Sequence, residues 1–264
     1  MVTECQDITV HATSFAHRGE PVLYASLPGN GETGGGCGAS RAVDQKRLVT
    51  TLWNYVGAMD NPRWLYRHVF DRAAYPLQVA HGPLGRPQLW LGEVRGPAVS
   101  FSEGGGQIWG ALCGGESDIG IDVAAAGEFH DGYPLHRVFH DQELHHALRL
   151  AGGDLAKAAA LLWSIKEAVV KALGCGFHLV APRQVIVSPS RGGDRGYTFP
   201  VSLSGKALMR YPLCARRSIW VHSYPLEQMW LSIALVHGQS QYDVGRTFRP
   251  TLSRGRRFIH DQRS

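Results

Sequence analysis

From Gln45 onward, apolar residues return at helical intervals. In QKRLVTTLWNYVGAM, Leu48, Leu52, Tyr55, Val56 and Met59 fall on one side, which predicts an amphipathic helix. Residues 64 to 75 read as a second, shorter helix. Then the periodicity changes. PAVSFS, QIWGALC and DIGIDVA are short apolar runs divided by EGGG and GGES, the pattern of an antiparallel meander. HRVFHDQELHHALRLAGG predicts one helix ending at Gly152–Gly153. Asp154 is then placed to N-cap a helix running through Leu173, with Gly174 as its stop. PRQVIVS, YTFPVSL, RSIWVHS and QMWLSIALV read as strands, with YPLE turning between the last two. Helices then a meander, followed by helices then a second meander, predict an α+β fold. Two similar subdomains, each a small antiparallel sheet packed with helices, would meet near residue 115. The divisions are 1–115, 116–238 and a tail, 239–264.

Composition adds little to this until charge is mapped. With 44% hydrophobic residues the chain can bury a core, and 32 glycines and 14 prolines fit many turns. No run of eighteen apolar residues suggests a transmembrane helix, and MVTECQDITVHATSF lacks the basic start and apolar centre of a signal peptide. Five scattered cysteines form no CxxC, which argues against a disulfide framework and a structural zinc site and favours a reducing cytoplasm. The net charge is +5, but residues 237–264 alone hold six arginines against Asp243 and Asp261. The tail is therefore read as solvated, and a nucleic-acid role is disfavoured because the body has no matching basic stripe. The glycine-rich stretch PGNGETGGGCGAS (28–40) has no GxxxxGK[ST] and reads as a loop. The histidines at 130, 136, 140, 145 and 146 contain no HExxH and read as solvated or capping groups.

The chemistry concentrates in LLWSIKEAVVKALGCGF (161–177). Glu167 and Lys171 sit at i and i+4, Trp163 lies one turn earlier on that face, and Lys166 is about 100° round. On spacing alone an ordinary solvated helix pair is favoured over a site. Asp122 is the second observation. It interrupts a strand of Ile and Val, where a carboxylate needs either an open sheet end or a cationic partner.

Gly120-Ile121-Asp122, followed by Trp163-Ser164-Ile165-Lys166-Glu167-Ala168 with Lys171 and Gly174, resembles the GID and W-S-x-K-E-A-x-x-K-x-x-G signature of the 4′-phosphopantetheinyl transferase superfamily. The length resembles the two-repeat, monomeric branch. Gly85-Arg86-Pro87 is similar to that branch's GKP element. The similarity runs from about residue 83 to 187. The resemblance implies a pseudo-dimer with coenzyme A in the cleft between subdomains. It implies Mg²⁺-dependent transfer of phosphopantetheine to a serine of an acyl or peptidyl carrier protein (apo to holo), with release of 3′,5′-ADP. By the same resemblance Asp122 and Glu167 hold Mg²⁺, and Glu167 also deprotonates the serine. Lys166 and Lys171 grip phosphate, with Lys171 catalytic, and Arg86 contacts the nucleotide end of coenzyme A. Fatty-acid, polyketide and nonribosomal-peptide pathways all remain open.

Two departures stand out. The branch reads GID-x-E, and the second acid is replaced by Ala124. The branch's SHS is matched by Ser100-Phe101-Ser102-Glu103-Gly104, with Glu103 read at the histidine's place. Glu103 is therefore read either as a Mg²⁺ ligand that offsets Ala124 or, with equal weight, as a solvent-facing residue of a glycine-rich turn. The rival reading is a decayed relative that only binds coenzyme A or the carrier.

Overall fold

A computed structural model describes residues 8–15, 20–29, 37–59, 76–82, 84–115, 117–129, 132–193, 196–215 and 219–237. The helix expected over 64–75, most of the glycine-rich loop and the basic tail lie outside the described residues.

Strands β1 (Val10–Phe15) and β2 (Glu20–Pro28) precede helix α1 (Cys37–Ala58). Then come β3 (Leu77–His81), β4 (Pro87–Leu91), β5 (Val94–Arg95), β6 (Ala98–Gly104), β7 (Gln107–Cys113) and β8 (Ser117–Ala125). Helices α2 (Leu135–Val138), α3 (Asp141–Leu150) and α4 (Leu155–Ala172) follow. The chain finishes with β9 (Val185–Val187), β10 (Arg191–Gly193), β11 (Gly196–Leu203), helix α5 (Gly205–Arg210), β12 (Ile219–Leu226) and β13 (Met229–His237). The strands make a four-stranded sheet in the order β1-β2-β7-β6, a small β3-β4-β5 sheet, and a six-stranded sheet β10-β11-β12-β13-β8 with β9 beside β11. The fold is α+β, several small antiparallel sheets packed with helices. Among the described residues no helix is long and apolar enough to cross a membrane.

Alternation along the strands sorts the core into layers. Leu23, Ala25 and Leu27 of β2, with Ile108 and Leu112 of β7, face α1 and bury its Leu48, Leu52 and Val56 stripe. Tyr55, predicted on that stripe, stays partly exposed at its margin. Val22, Trp109, Ala111 and Cys113 on the opposite face meet Ile119, Ile121 and Val123 of β8 and Leu231, Ile233 and Leu235 of β13. Beyond that second sheet lies α4, whose Ala159, Leu161, Leu162, Ile165 and Val169 join the largest core cluster. The order of layers is thus helix, sheet, sheet, helix.

Three expectations change. DIGIDVA does not continue the meander: β6 and β7 form a hairpin, but β8 pairs with β13, from Ser117 opposite His237 to Ala125 opposite Met229. The helix predicted over HRVFHDQELHHALRL is broken, because Phe139 and His140 are extended. Glu143 causes the break by accepting the His140 N–H at 2.9 Å, capping α3 and leaving α2 as a separate turn. The last hairpin turns at Glu227–Gln228, two residues after the YPLE expectation. The α4 limits match the sequence closely. Asp154 accepts the Lys157 N–H at 3.0 Å as N-cap, and Gly174 takes φ +71° just past the end.

Candidate functional site

Helix α4 lies directly on strand β8, and Gly120 is the reason. A Cβ at residue 120 would come 1.9 Å from the Ala168 carbonyl and 2.6 Å from the Ala172 nitrogen. Only glycine allows this approach. Asp122, two residues along on the same face of β8, is thereby brought under Lys171. The Lys171 Nζ donates to Asp122 Oδ1 at 2.7 Å, to the Ile121 carbonyl at 3.1 Å and to Ser102 Oγ at 3.1 Å. All three ammonium protons are placed.

Asp122 is 6% exposed. Burial pushes its carboxyl up, and the Lys171 ammonium pulls it back down. Glu167 is pushed up by burial first and by the Asp122 carboxylate second, with Lys171 again opposing. The two acids and Lys171 therefore form one electrostatic group. Trp163 packs against Phe177 at a centroid distance of 5.0 Å and against Phe129 at 6.4 Å, so it braces the Glu167 face of α4 with aromatic contacts.

Next to this group opens a cavity of about 450 Å³. Arg41 and Gln45 of α1, His81 of β3, Arg86, Ser100 and Phe101, Lys171 and Cys175 are in its wall. Asp122 and Glu167 are not in the wall. Lys171 touches both the cavity and Asp122 and so links them. Arg86 reaches across from the β3–β4 connection to form an ion pair with the buried Asp118 at the start of β8. It passes over Gly174, where a Cβ would stand 2.8 Å from the arginine Cδ.

Lys166 and Glu103 require correction. Lys166 does not reach the cavity. Its side chain is 0% exposed, and its Nζ pairs with Glu143 at 2.9 Å and donates to the Pro182 and Val185 carbonyls at 3.0 and 2.6 Å. One step of about 100° around the helix turns it into the core instead of toward phosphate. Glu103 does not join Asp122. Strand alternation sends Ser102 toward Asp122 and Glu103 the other way, where it pairs with Arg41 at 2.7 Å. The β6 residues in the cavity wall are Ser100 and Phe101, and Glu103 is not among the lining residues. Ala124 is buried beside Trp230 in the register of β13 and carries no polar function.

Ser102, Arg41 and His81 were not found from the sequence. Ser102 had a signal, its alternation with Ser100 in an otherwise apolar strand. Arg41 and His81 had none, because they reach the cavity only through the packing of α1 and β3. The histidines of the α2–α3 region serve the fold: His140 contacts the Arg183 carbonyl at 2.9 Å and His146 contacts Ser190 Oγ at 3.1 Å.

No curated protein matches the chain at a significant level. The family model of the 4′-phosphopantetheinyl transferase superfamily matches residues 118–203, from the start of β8 through α4 to the end of β11. The match thus falls on the segment that supplies Asp122, Glu167 and Lys171.

Proposed function

We propose that the protein transfers 4′-phosphopantetheine from coenzyme A to a serine hydroxyl of an acyl or peptidyl carrier protein, releasing 3′,5′-ADP. The observation that carries this reading is the cavity with Arg41, Arg86 and Lys171 in its wall, adjoining the Asp122–Glu167 carboxylates. A polyanionic co-substrate needs such cations. Phosphoryl-type transfers depend on positioning and charge stabilisation more than on covalent help from the protein.

The residues fit a divalent metal. Two hard oxygen donors, Asp122 and Glu167, share a low-dielectric region, and the buried Asp122 has already drawn an ammonium onto Oδ1. Mg²⁺ commonly takes one or two protein carboxylates plus substrate phosphates. Among the described residues no third His, Cys, Asp or Glu side chain completes an all-protein set. Asp122 and Glu167 would hold the ion, which would neutralise charge on the pyrophosphate of coenzyme A. Glu103 has no part in that set.

Glu167 would be the proton acceptor for the attacking serine; burial and the Asp122 carboxylate raise its pKa, which makes it a stronger base than an exposed carboxylate. Lys171 holds phosphate oxygens as a point charge at the cavity wall. Arg86, fixed by Asp118, meets the nucleotide end. The cleft of this reading lies between a 1–115 half and a 116–238 half, and a cytoplasmic monomer is the matching expectation.

The test is intact-mass spectrometry of an apo carrier protein incubated with the protein, coenzyme A and Mg²⁺, beside a Glu167→Ala control. A gain of about 340 Da on the carrier serine, seen only with the intact protein, supports the transferase. No gain across fatty-acid, polyketide and peptide carriers, from folded protein that still binds coenzyme A, supports a binding relative that has lost transfer.

A further inference from the structure

Ser102 lies outside the segment that the family model matches, yet its hydroxyl stands at the centre of the charged group. It donates to Asp122 Oδ1 at 2.9 Å. It accepts from Lys171 Nζ at 3.1 Å and from the Val123 N–H at 3.3 Å. One donor and two acceptors are the full capacity of a hydroxyl. The residue is 4% exposed.

The surroundings explain why a hydroxyl is placed there. β8 pairs with β13 on one side and ends the sheet on the other. At that unpaired edge Ser100 Oγ accepts the Ile121 N–H at 3.1 Å, and Ser102 does the same for Val123. Two side chains of β6 thus take the place of a neighbouring strand. Of the two, Ser102 also spends its proton on a carboxylate and receives one from an ammonium. It therefore reports the position of the N-terminal sheet directly to Asp122 and Lys171.

We propose that Ser102 is a positioning residue for the transfer. It fixes the rotation of the Asp122 carboxylate and holds the Lys171 ammonium where α4 meets the cavity. This rests on the transferase reading given above. A carboxylate oriented by one hydroxyl presents its other oxygen in a set direction. An ammonium on a four-carbon stem gains a fixed origin from which to reach phosphate. Without the hydroxyl, both groups keep their identity and lose their aim. Misplacement by about 1 Å costs on the order of a hundredfold in rate, and loss of a partner behind a metal ligand costs roughly 10- to 100-fold in metal affinity.

The experiment compares wild-type protein with Ser102→Ala and Ser102→Thr by three readouts. These are kcat and KM for coenzyme A in the carrier-mass assay, Mn²⁺ affinity of the protein alone by calorimetry, and thermal melting. For Ser102→Ala, kcat is expected to fall about a hundredfold while KM for coenzyme A stays within about threefold, because Arg41 and Arg86 still line the cavity. Mn²⁺ affinity should fall about tenfold, and Ser102→Thr, which keeps the hydroxyl, should recover most of both losses. A lower melting temperature with unchanged Mn²⁺ affinity and unchanged kcat of the folded protein would assign Ser102 to the fold alone and overturn the proposal. If Ser102→Ala does not fold, Ser102→Cys, with its weaker donor, takes its place under the same criteria. If the wild type makes no holo carrier, the transferase reading fails by itself, and the Mn²⁺ titration still decides Ser102. A wild type that neither transfers nor binds Mn²⁺ overturns both.

Discussion

Lys166 and Lys171 stand five residues apart on α4, and each is paired with a carboxylate. Lys166 meets Glu143 in a region closed to solvent. Lys171 meets Asp122 at the edge of a cavity, with its side chain 29% exposed. The first pair is enclosed by backbone: its carbonyl partners belong to Pro182 and Val185, and Glu143 also accepts the Val187 N–H at 2.8 Å. The second pair adjoins open space that a ligand can fill. Burial lowers the pKa of Lys166 and raises that of Asp122, and in both pairs the partner charge opposes the shift. One residue type in one helix thus fastens α3, α4 and β9 together at one position and faces an open cavity at the other.

The largest expected effect tests the enclosed pair. Lys166→Ala leaves Glu143 buried without its cation and should cost on the order of 3–5 kcal/mol, seen as a fall of about 10 °C in melting temperature. Lys166→Met with Glu143→Gln, which keeps an acceptor for Val187, should cost clearly less than the sum of the single changes in a double-mutant cycle. Lys171→Ala should do the opposite. Holo-carrier formation falls by about 10²–10³-fold while the melting temperature moves by only a few degrees. If Lys171→Ala destabilised the protein as much as Lys166→Ala, the contrast between the two pairs would be lost.

A titration tests burial at a third position. Burial pushes the His222 imidazole down from the usual 6.5 to about 4. The unfolded chain therefore takes up a proton that the folded chain refuses between those values. The contribution of this group is complete above pH 6.5 and is lost as pH falls toward 4, by about 3 kcal/mol at most. His222→Gln should flatten the dependence of melting temperature on pH in that window. The smallest effect belongs to the exposed pair. Glu103→Gln breaks its contact with Arg41 and should leave Mn²⁺ affinity unchanged, because Glu103 faces away from Asp122. A tenfold loss of Mn²⁺ affinity in that variant would restore Glu103 as a ligand.

Legibility in the sequence followed how local each signal was. α4 was readable nearly to the residue because its cap, apolar face and terminal glycine lie within twenty positions. Asp122 stood out as a candidate because a carboxylate in an apolar strand needs a partner, whereas Glu167 and Lys171 stood out only together with the family resemblance. Lys166 was misread because two adjacent charged residues on a helix point about 100° apart, and sequence does not say which direction is solvent. Glu103 was misread by one pleat of β6, a shift that changes the face a side chain occupies. β1, β2 and β3 went unseen because their alternation is short and mixed, and β8 was assigned to the wrong neighbours because pairing with β13 spans more than a hundred residues. Tertiary packing alone brought Arg41 and His81 into the cavity wall.

The pairing of β8 with β13 has a consequence for how the molecule comes apart. The recognisable segment 118–203 contains β8 and β11 but omits β12 and β13, which lie between them in the sheet. The opposite edge of β8 completes its hydrogen bonding on serines of the first sheet. Excised, that segment would have a hole in the middle of its sheet and an unsatisfied strand on one side. The matched part of the chain is not a part that can stand alone, and the described structure should melt as one cooperative unit.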